Sequence, residues 1–494
     1  VSRVRSRLRQ VPLPLALLLG IACALSVSWS LSTAPLQGPD ESEHLGYVAR
    51  LAETGHIPSS TSGTTGGYAP DEAHALQDSG LLRLEQNRQA RPPTTPQAEQ
   101  RFRDFEKTLP DGAAGRVDGP TPVGVNPPLY YAIAAIGWKL SPGGHFFGHL
   151  FMVRLVGALL LMATVGFTWL LAGEAFGRRR LPQTVAAGVV ALLPMDGFMS
   201  GAVNTDILLG TVWAAFAWLS LRTVRLGLTW QRAGVLALLA AASVLTHGRG
   251  LAILPALAVV FAVAWLRSRP SVRETVKALA SSGFVLAIGL FVYRVLVSAS
   301  GGGGSAFGGD VNLGHTGKFN VRQMLSTTWQ FYLPKLDAMA ARPGPGIGYR
   351  QIMVQQYFAG VFGLFEVYFP FWVYDLVQVA FGLLLLALYT LGAIRWRATL
   401  AHWPVVVVLG AMAFSMLALL HIASYRSLLQ TSGQNPLIVG RYLTPLSAIL
   451  GVGIAAVVAG LPRRAAAVVS AVVLVGLLAL SLGALGLNVE RFYA

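Results

Sequence analysis

The chain has 494 residues, 54% of them hydrophobic and only 12% charged, with a mean hydropathy of +0.56. This excludes a water-soluble multidomain protein and points to a polytopic membrane protein whose core is the helix bundle within the bilayer. The net charge of +16 does not indicate nucleic acid, because the basic residues form short clusters between apolar runs rather than a patch interleaved with aromatics. The single cysteine, Cys23, leaves no intrachain disulfide to staple the loops.

A bilayer crossing needs about 20 mostly apolar residues. Eleven runs qualify: 12–33, 149–173, 182–198, 206–222, 232–247, 251–267, 276–298, 373–394, 403–423, 442–460 and 465–487, of which 182–198 and 232–247 are short for a full crossing. Arg3, Arg5, Arg7 and Arg9 precede the first run, and the positive-inside rule puts that end in the cytoplasm. The run itself, about 20 residues, exceeds the 7 to 15 of a signal-peptide core and is read as a retained anchor. Alternation then brings Arg178–Arg180, Arg222, Arg225, Arg232, Arg267, Arg269, Arg273, Lys277, Arg395, Arg397, Arg463 and Arg464 to the same side. With the first four arginines these are 18 of the 38 Lys and Arg residues; Glu174 and Glu274 are the only acids beside them, so this face carries the whole +16. The expected fold is an all-α bundle of about eleven transmembrane helices with its C-terminus outside. Three parts are expected: 1–298 with seven spans, an outer segment 299–372, and a four-helix unit 373–494.

The first outer loop, 34–148, opens on Pro39-Asp40-Glu41-Ser42-Glu43-His44. Leu45, Val48, Leu51 and Ala52 at helical spacing predict an amphipathic helix from Asp40 to Thr54. A flexible Ser59–Gly67 stretch and a charged helix near Gln97–Leu109 follow. Asn126-Pro127-Pro128-Leu129-Tyr130-Tyr131 opens an apolar segment to Leu140, too brief to span and expected at the outer interface. The second outer segment begins with a mobile, glycine-rich Ser300–Ser305 and ends in the aromatic-rich Gln356–Pro370. No 20- to 50-residue repeat and no matching pair of broken hydrophobic segments is present, which weighs against an inverted-repeat transporter.

In a chain so poor in carboxylates, an acidic cluster at a membrane surface points to chemistry. Asp40 can be the N-cap of its helix with Glu43 at the third position, or a general base whose partly desolvated carboxylate has a raised pKa; the readings are compatible. His44, one turn on, can hydrogen-bond Asp40 or line a cleft. Asp196, Asn204 and Asp206 flank an outer turn between two spans, where acids are functional candidates. Arg249, after His247, and Arg441, before Tyr442, lie at outer span ends, where guanidinium groups suit a lipid phosphate or snorkel to headgroups. His44, His56 and His74 show no tight metal-ligand spacing. No cofactor is called for, a divalent metal being the one addition left open. There is no phosphate-cradling glycine loop and no G-x-S-x-G elbow.

These residues resemble the GT-C superfamily of polytopic glycosyltransferases. The likeness rests on Asp40-Glu41 just after the first span, on Pro127 to Tyr131 closing a long first outer loop, and on Arg154 entering the second span before the basic turn Arg178–Arg180. Later, Val361-Phe362-Gly363-Leu364-Phe365 and Gly440-Arg441-Tyr442 are similar to a bacterial subgroup of that superfamily; the likeness is strong to about residue 270 and patchy beyond. It implies a polyprenyl-phosphate-linked sugar donor used on the extracytoplasmic side with inversion, a glycan or glycolipid acceptor, and membrane lipids as surroundings, with no nucleic acid. It also implies a catalytic base at Asp40, with Glu41 as its neighbour. Donor-phosphate contacts are expected from Arg441, Arg249, His247 and Tyr442, although His247-Gly248-Arg249 stands where many members carry a lysine. His44, Asn126, Asp196, Asn204 and Asp206 are expected to bind substrate. Two rival readings remain at this stage. One is a lipid-linked oligosaccharide polymerase or ligase with a diphosphate donor. The other is a transporter, for which Arg294 is the main candidate midplane charge.

Overall fold

The computed structural model describes residues 11–58, 70–81, 95–108, 121–142, 145–299, 318–344, 346–431, 433 and 436–493. Arg3–Arg9, Ser59–Gly67, the Gly301–Gly304 loop and Gln434–Asn435 lie outside the described residues. The described chain is almost entirely helical. In order, the first half comprises α1 (Leu13–Ser32), α2 (Glu41–Thr54), α3 (Pro70–Ser79), α4 (Pro96–Glu106), α5 (Leu129–Lys139), α6 (Phe146–Phe176), α7 (Arg180–Leu192), α8 (Pro194–Ser200), α9 (Asp206–Leu226) and α10 (Trp230–Thr246). Then come α11 (Ile253–Ser268), α12 (Val272–Ala299), α13 (Val321–Tyr332), a π-helix (Arg350–Gly360), an antiparallel pair β1 (Val361–Phe362) and β2 (Val367–Tyr368), α14 (Phe371–Ile394), α15 (Trp396–Ala401), α16 (Trp403–Gln430), α17 (Ser447–Gly460) and α18 (Arg463–Tyr493). In the pair, Val361 faces Tyr368 and Phe362 faces Val367.

Every one of the eleven apolar runs is helical. Among the described residues nine helices are long and apolar enough to cross a membrane, or ten when α7 and α8 count as one bent span. The remaining run is α10, at 17 residues. The protein is therefore an all-α polytopic membrane protein. The expected run 182–198 breaks at Pro194, the first residue of α8, where the axis turns by 57°; proline lacks the N–H that would continue the ladder and its ring crowds the preceding turn.

Helix α9 is the hub: 89% of its apolar window is buried, against 11% for α12 and 6% for α14. Those two peripheral helices expose Phe291, Leu383 and Leu386, apolar side chains that suit a lipid surround. Helix α6 packs against α1, α5, α7 and α9, and α7 against α17. Two glycines permit close backbone approach. A Cβ at Gly157 would lie 2.2 Å from the Ser200 carbonyl oxygen, and one at Gly440 would lie 2.4 Å from the Gln356 Cβ, so α8 can rest on α6 and the 440s turn on the π-helix.

Helix α5 is two-sided, with Ile136 exposed and its other face packed into the bundle. Tyr130, Tyr131, Ala134 and Trp138 are buried, and α5 packs between α2 and α6. Trp138 stacks on His149 with ring centroids 4.0 Å apart and donates Nε1–H to Glu53 Oε1 at 2.6 Å. One face of this 11-residue helix is thus part of the core.

The start of α2 is tied to the bundle by a buried ion pair. Arg154 of α6 donates Nε–H to Glu41 Oε1 at 2.8 Å and Nη2–H to Glu41 Oε2 at 2.6 Å. Its remaining donors reach the carbonyls of Ser30 and Thr33, both at 2.8 Å, and of Ala34 at 3.1 Å, where α1 ends. Glu41 also accepts from the backbone N–H groups of Gly38 and Val203. Four segments meet at one charge pair with every oxygen satisfied. Arg154→Met should cost about 3–5 kcal/mol by leaving a buried carboxylate unpaired. Adding Glu41→Leu should recover part of that loss, as measured by chemical unfolding in detergent.

Candidate functional site

Asp40 sits where the turn Gly38-Pro39 enters α2. It occupies the N-cap position, yet its side chain makes no capping bond and its backbone is left-handed, with φ 54° and ψ 25°. That region costs an L-residue about 1–2 kcal/mol and is tolerated by Asp better than by most. The capping expectation is therefore not met: Glu43 takes its bond from the Ser42 hydroxyl, at 2.9 Å, and the Asp40 carboxylate points elsewhere. It accepts Nη2–H of Arg441 at 2.5 Å, across 401 positions of sequence. Asn204 holds the turn in place by donating Nδ2–H to the Pro39 carbonyl at 3.1 Å, while its Oδ1 accepts the Asp206 N–H at 2.9 Å.

Asp206, the first residue of α9, is buried between two guanidinium groups. Arg249 is ion-paired to its Oδ1, and Arg441 Nε lies 3.9 Å from its Oδ2. The Arg249 guanidinium lies over the Tyr442 ring, 3.9 Å from its centroid, and that of Arg441 is 5.6 Å from the same ring. Nε and Nη1 of Arg249 and Nε of Arg441 are buried without a hydrogen-bond partner among the described residues. Buried donors of this kind are costly unless something satisfies them.

Two histidines complete the polar wall. Asn126 donates Nδ2–H to the Tyr131 hydroxyl at 3.1 Å, and that hydroxyl is hydrogen-bonded to His44 Nδ1, 2.8 Å away. Tyr47, stacked on Tyr131 at 3.6 Å, fixes the ring. His247 Nδ1 accepts the Arg249 N–H at 3.1 Å. The neutral His247 ring therefore carries its proton on Nε2. Burial pushes His44 down to about 4, against the opposing pull of Asp40. Burial and the neighbouring Arg249 charge hold His247 well below its usual value. For Asp40, burial works upward, but the positive charge and hydrogen bond of Arg441, together with His44 and Arg249, outweigh it and hold the carboxyl below its ordinary 3.8. The raised base pKa expected from desolvation alone is reversed by that partner.

Asp40, His44, Asn126, Asn204, Asp206, His247, Arg249, Arg441 and Tyr442 all line one cavity of about 470 Å³. Two expected site residues do not. Glu41 is buried and its carboxylate is committed to Arg154, which leaves no free oxygen for catalysis. Asp196 lies in α8 rather than in a solvated turn; it is buried and accepts the Ser447 hydroxyl at 2.9 Å, with Tyr357 bonded to the same hydroxyl at 2.8 Å. The cavity has a wall the sequence reading missed, built from Leu251, Tyr293 and, on α16, Leu419, Leu420, Ile422 and Arg426. Arg426 and Gln430, polar residues at the end of a long apolar run, were the available signal. Among the described residues, no group of three or more His, Cys, Asp or Glu side chains is arranged to hold a metal ion.

These shifts act in the same direction at low pH, over different intervals. The unfolded chain protonates histidine near 6.5 and the folded chain only near 4, so stability falls as pH drops through that interval. His44→Gln should flatten the loss, leaving the share due to His247, in thermal unfolding midpoints across the range. The stabilisation from Asp40 is intact above 3.8 and is lost only as pH falls below it. The difference in midpoint between the parent and Asp40→Asn should therefore persist down to that pH.

The family model described as "Predicted membrane protein (DUF2142)" matches residues 23–450. No curated protein matches the sequence. Among solved structures, that of ArnT from Cupriavidus metallidurans in the apo state is similar at a TM-score of 0.46 and 13% identity, covering 91% of this chain. This chain spans 60% of the length of that one. With the match running over most of its length, the chain belongs to the DUF2142 family of membrane proteins.

Proposed function

We propose that this protein is a membrane glycosyltransferase of GT-C type. It moves a sugar from a polyprenyl-phosphate donor to an acceptor hydroxyl on the extracytoplasmic face, with inversion at the anomeric carbon. The observation that carries this reading is the pairing of a half-exposed carboxylate, Asp40, with buried guanidinium groups whose donors lack partners, in a cavity with an apolar wall. Such a cavity suits a ligand that joins a phosphate to an isoprenoid chain. The placement of the site supports the sidedness. Asp40, Asp206, Arg249 and Arg441 lie at helix ends opposite those that carry Arg225, Arg267 and Arg463, and basic clusters favour the cytoplasm.

Charge balance favours a monophosphate donor. The cavity lining includes Arg249, Arg426 and Arg441 against Asp40 and Asp206, and both histidines are neutral, which leaves one positive charge. A sugar phosphodiester carries one negative charge; a lipid-linked sugar diphosphate carries two and would leave one uncompensated in a low-dielectric site.

In the reaction, the donor phosphate accepts hydrogen bonds from Arg249 and Arg441, and Arg441 turns from Asp40 towards it. Asp40, released, takes the proton of the acceptor hydroxyl, whose oxygen attacks the anomeric carbon from the face opposite the phosphate. The carbon–oxygen bond to phosphate breaks, and its electron pair leaves as the second negative charge of a polyprenyl phosphate. The guanidinium groups stabilise that growing charge. His44 and His247 line the cavity and hydrogen-bond sugar hydroxyls, His247 through its Nε2–H.

Asp40→Asn should lower transfer by about 10²–10⁴-fold in proteoliposomes supplied with a panel of radiolabelled polyprenyl-phosphate sugars. Binding of polyprenyl phosphate should be retained in the same variant. Unchanged transfer would sink the assignment of the base, and tighter binding of polyprenyl diphosphate than of monophosphate would favour the polymerase or ligase reading.

A further inference from the structure

The aromatic-rich segment before α14, which the donor chemistry does not use, walls a second cavity of about 670 Å³. It meets the first at the reacting centre: Asp40, Leu437, Arg441 and Tyr442 line both. Its floor is the π-helix, an unusual element in a run of 11 residues and one often found at functional sites. Hydrogen bonds from each residue to the fifth one back widen the helix, so that residues four and five apart share a face. Gln351, Gln355 and Gln356 share that face and line the cavity. Gln356 is committed, its Oε1 accepting the Gly440 N–H at 2.8 Å and so holding the turn that carries Arg441. Gln351 is exposed and Gln355 half-buried, and neither amide is engaged by another side chain or backbone group among the described residues.

The opposite wall is aromatic. Phe365, Tyr368 and Phe371 line the cavity and stay 46%, 56% and 71% exposed. Phe365 has φ +71°, a left-handed conformation that a bulky residue rarely adopts. It lies in the short turn between β1 and β2. Residues strained in this way cluster at functional sites. The charges of Asp40 and Arg441 cancel, and the lining contains no other charged side chain.

The geometry points to a saccharide-acceptor site in this second cavity. The ligand class is a neutral, hydroxyl-rich glycan end rather than an anionic headgroup. Carboxamides offer both two N–H donors and a carbonyl acceptor, which matches neighbouring hydroxyls that donate and accept. Aromatic faces cover the apolar C–H face of a pyranose. A hydroxyl of a glycan held between the two walls would meet Asp40 where the cavities join. Describing this ligand as the acceptor rests on the proposed transfer reaction; its binding does not.

The test is saturation-transfer NMR on the full chain in lipid nanodiscs, without glycoside detergent, using cellobiose, mannobiose and chitobiose at millimolar concentration and glucose 6-phosphate as a charged comparison. At least one disaccharide should receive saturation above a protein-free nanodisc blank, strongest at the ring C–H protons of one face, and glucose 6-phosphate should receive less. The signal should fall at least several-fold in Gln351→Ala/Gln355→Ala and in Tyr368→Ala, with unchanged thermal midpoints, and should persist in Asp40→Asn. If the tyrosine variant unfolds, the exposed Gln351→Ala change alone decides. No signal from any disaccharide, or a signal indifferent to these substitutions, overturns the inference. Parallel titration with polyprenyl phosphate separates the two readings. Disaccharide binding without phosphate binding overturns the donor reading alone, and the converse overturns this one alone.

Discussion

The bidentate bond between Arg154 and Glu41 is the constraint on which the rest of this structure depends. A guanidinium and a carboxylate removed from water are tolerable only when their geometry is good and every remaining donor and acceptor is engaged. Here the arginine also gathers three carbonyls at the end of α1, and the glutamate takes backbone N–H groups from the turn before α2 and from Val203. The first span, the first outer helix, α6 and the approach to α9 are thereby brought to one point. Two adjacent acids acquire opposite duties from this arrangement. Glu41 points inward and is saturated, while the left-handed turn at Asp40 sends its carboxylate to the cavity and leaves its carbonyl to receive the His44 N–H that starts the helix.

The cavity is organised by opposite charges held out of water. Asp206 stands between Arg249 and Arg441, Arg441 reaches on to Asp40, and Tyr442 supports both guanidinium groups with one ring. Asp40 and Arg441 neutralise each other. A base and an anion-binding group that share a bond cannot both act until a ligand takes one of them, so an arriving phosphate would both occupy the site and release the base. The histidines stay out of this balance because burial keeps them uncharged, and their place in the cavity lining suits them to orient hydroxyls.

Much of the bundle was legible in the sequence because a bilayer imposes a length and an apolar composition on each crossing. The two runs noted as short are the two unusual helices, one broken at Pro194 and one of 17 residues. The apolar run opening at Leu129 was legible as a short helix too brief to span, but its packing between α2 and α6 depends on contacts that no local pattern records. The capping reading of Asp40 and Glu43 failed. The residue pattern matched an N-terminal box, but a partner 401 positions away competed for the carboxylate.

For the site, the sequence by itself determined axial position. Span length and the one-sided basic clusters put Asp40, His44, Asn126, Asn204, Asp206, His247, Arg249 and Arg441 at the same end of the bundle. It could not determine which way each side chain faces around its helix, because that is set by packing against neighbours distant in the chain. Only the tertiary structure decided that Asp40 faces the cavity while Glu41 faces Arg154, and that Asp196 is committed to Ser447. It alone brought α16 and the glutamines of the π-helix to the cavity walls. Hydropathy and charge vary along the membrane normal and are written locally in the chain, whereas facing depends on contacts between segments that no local pattern records.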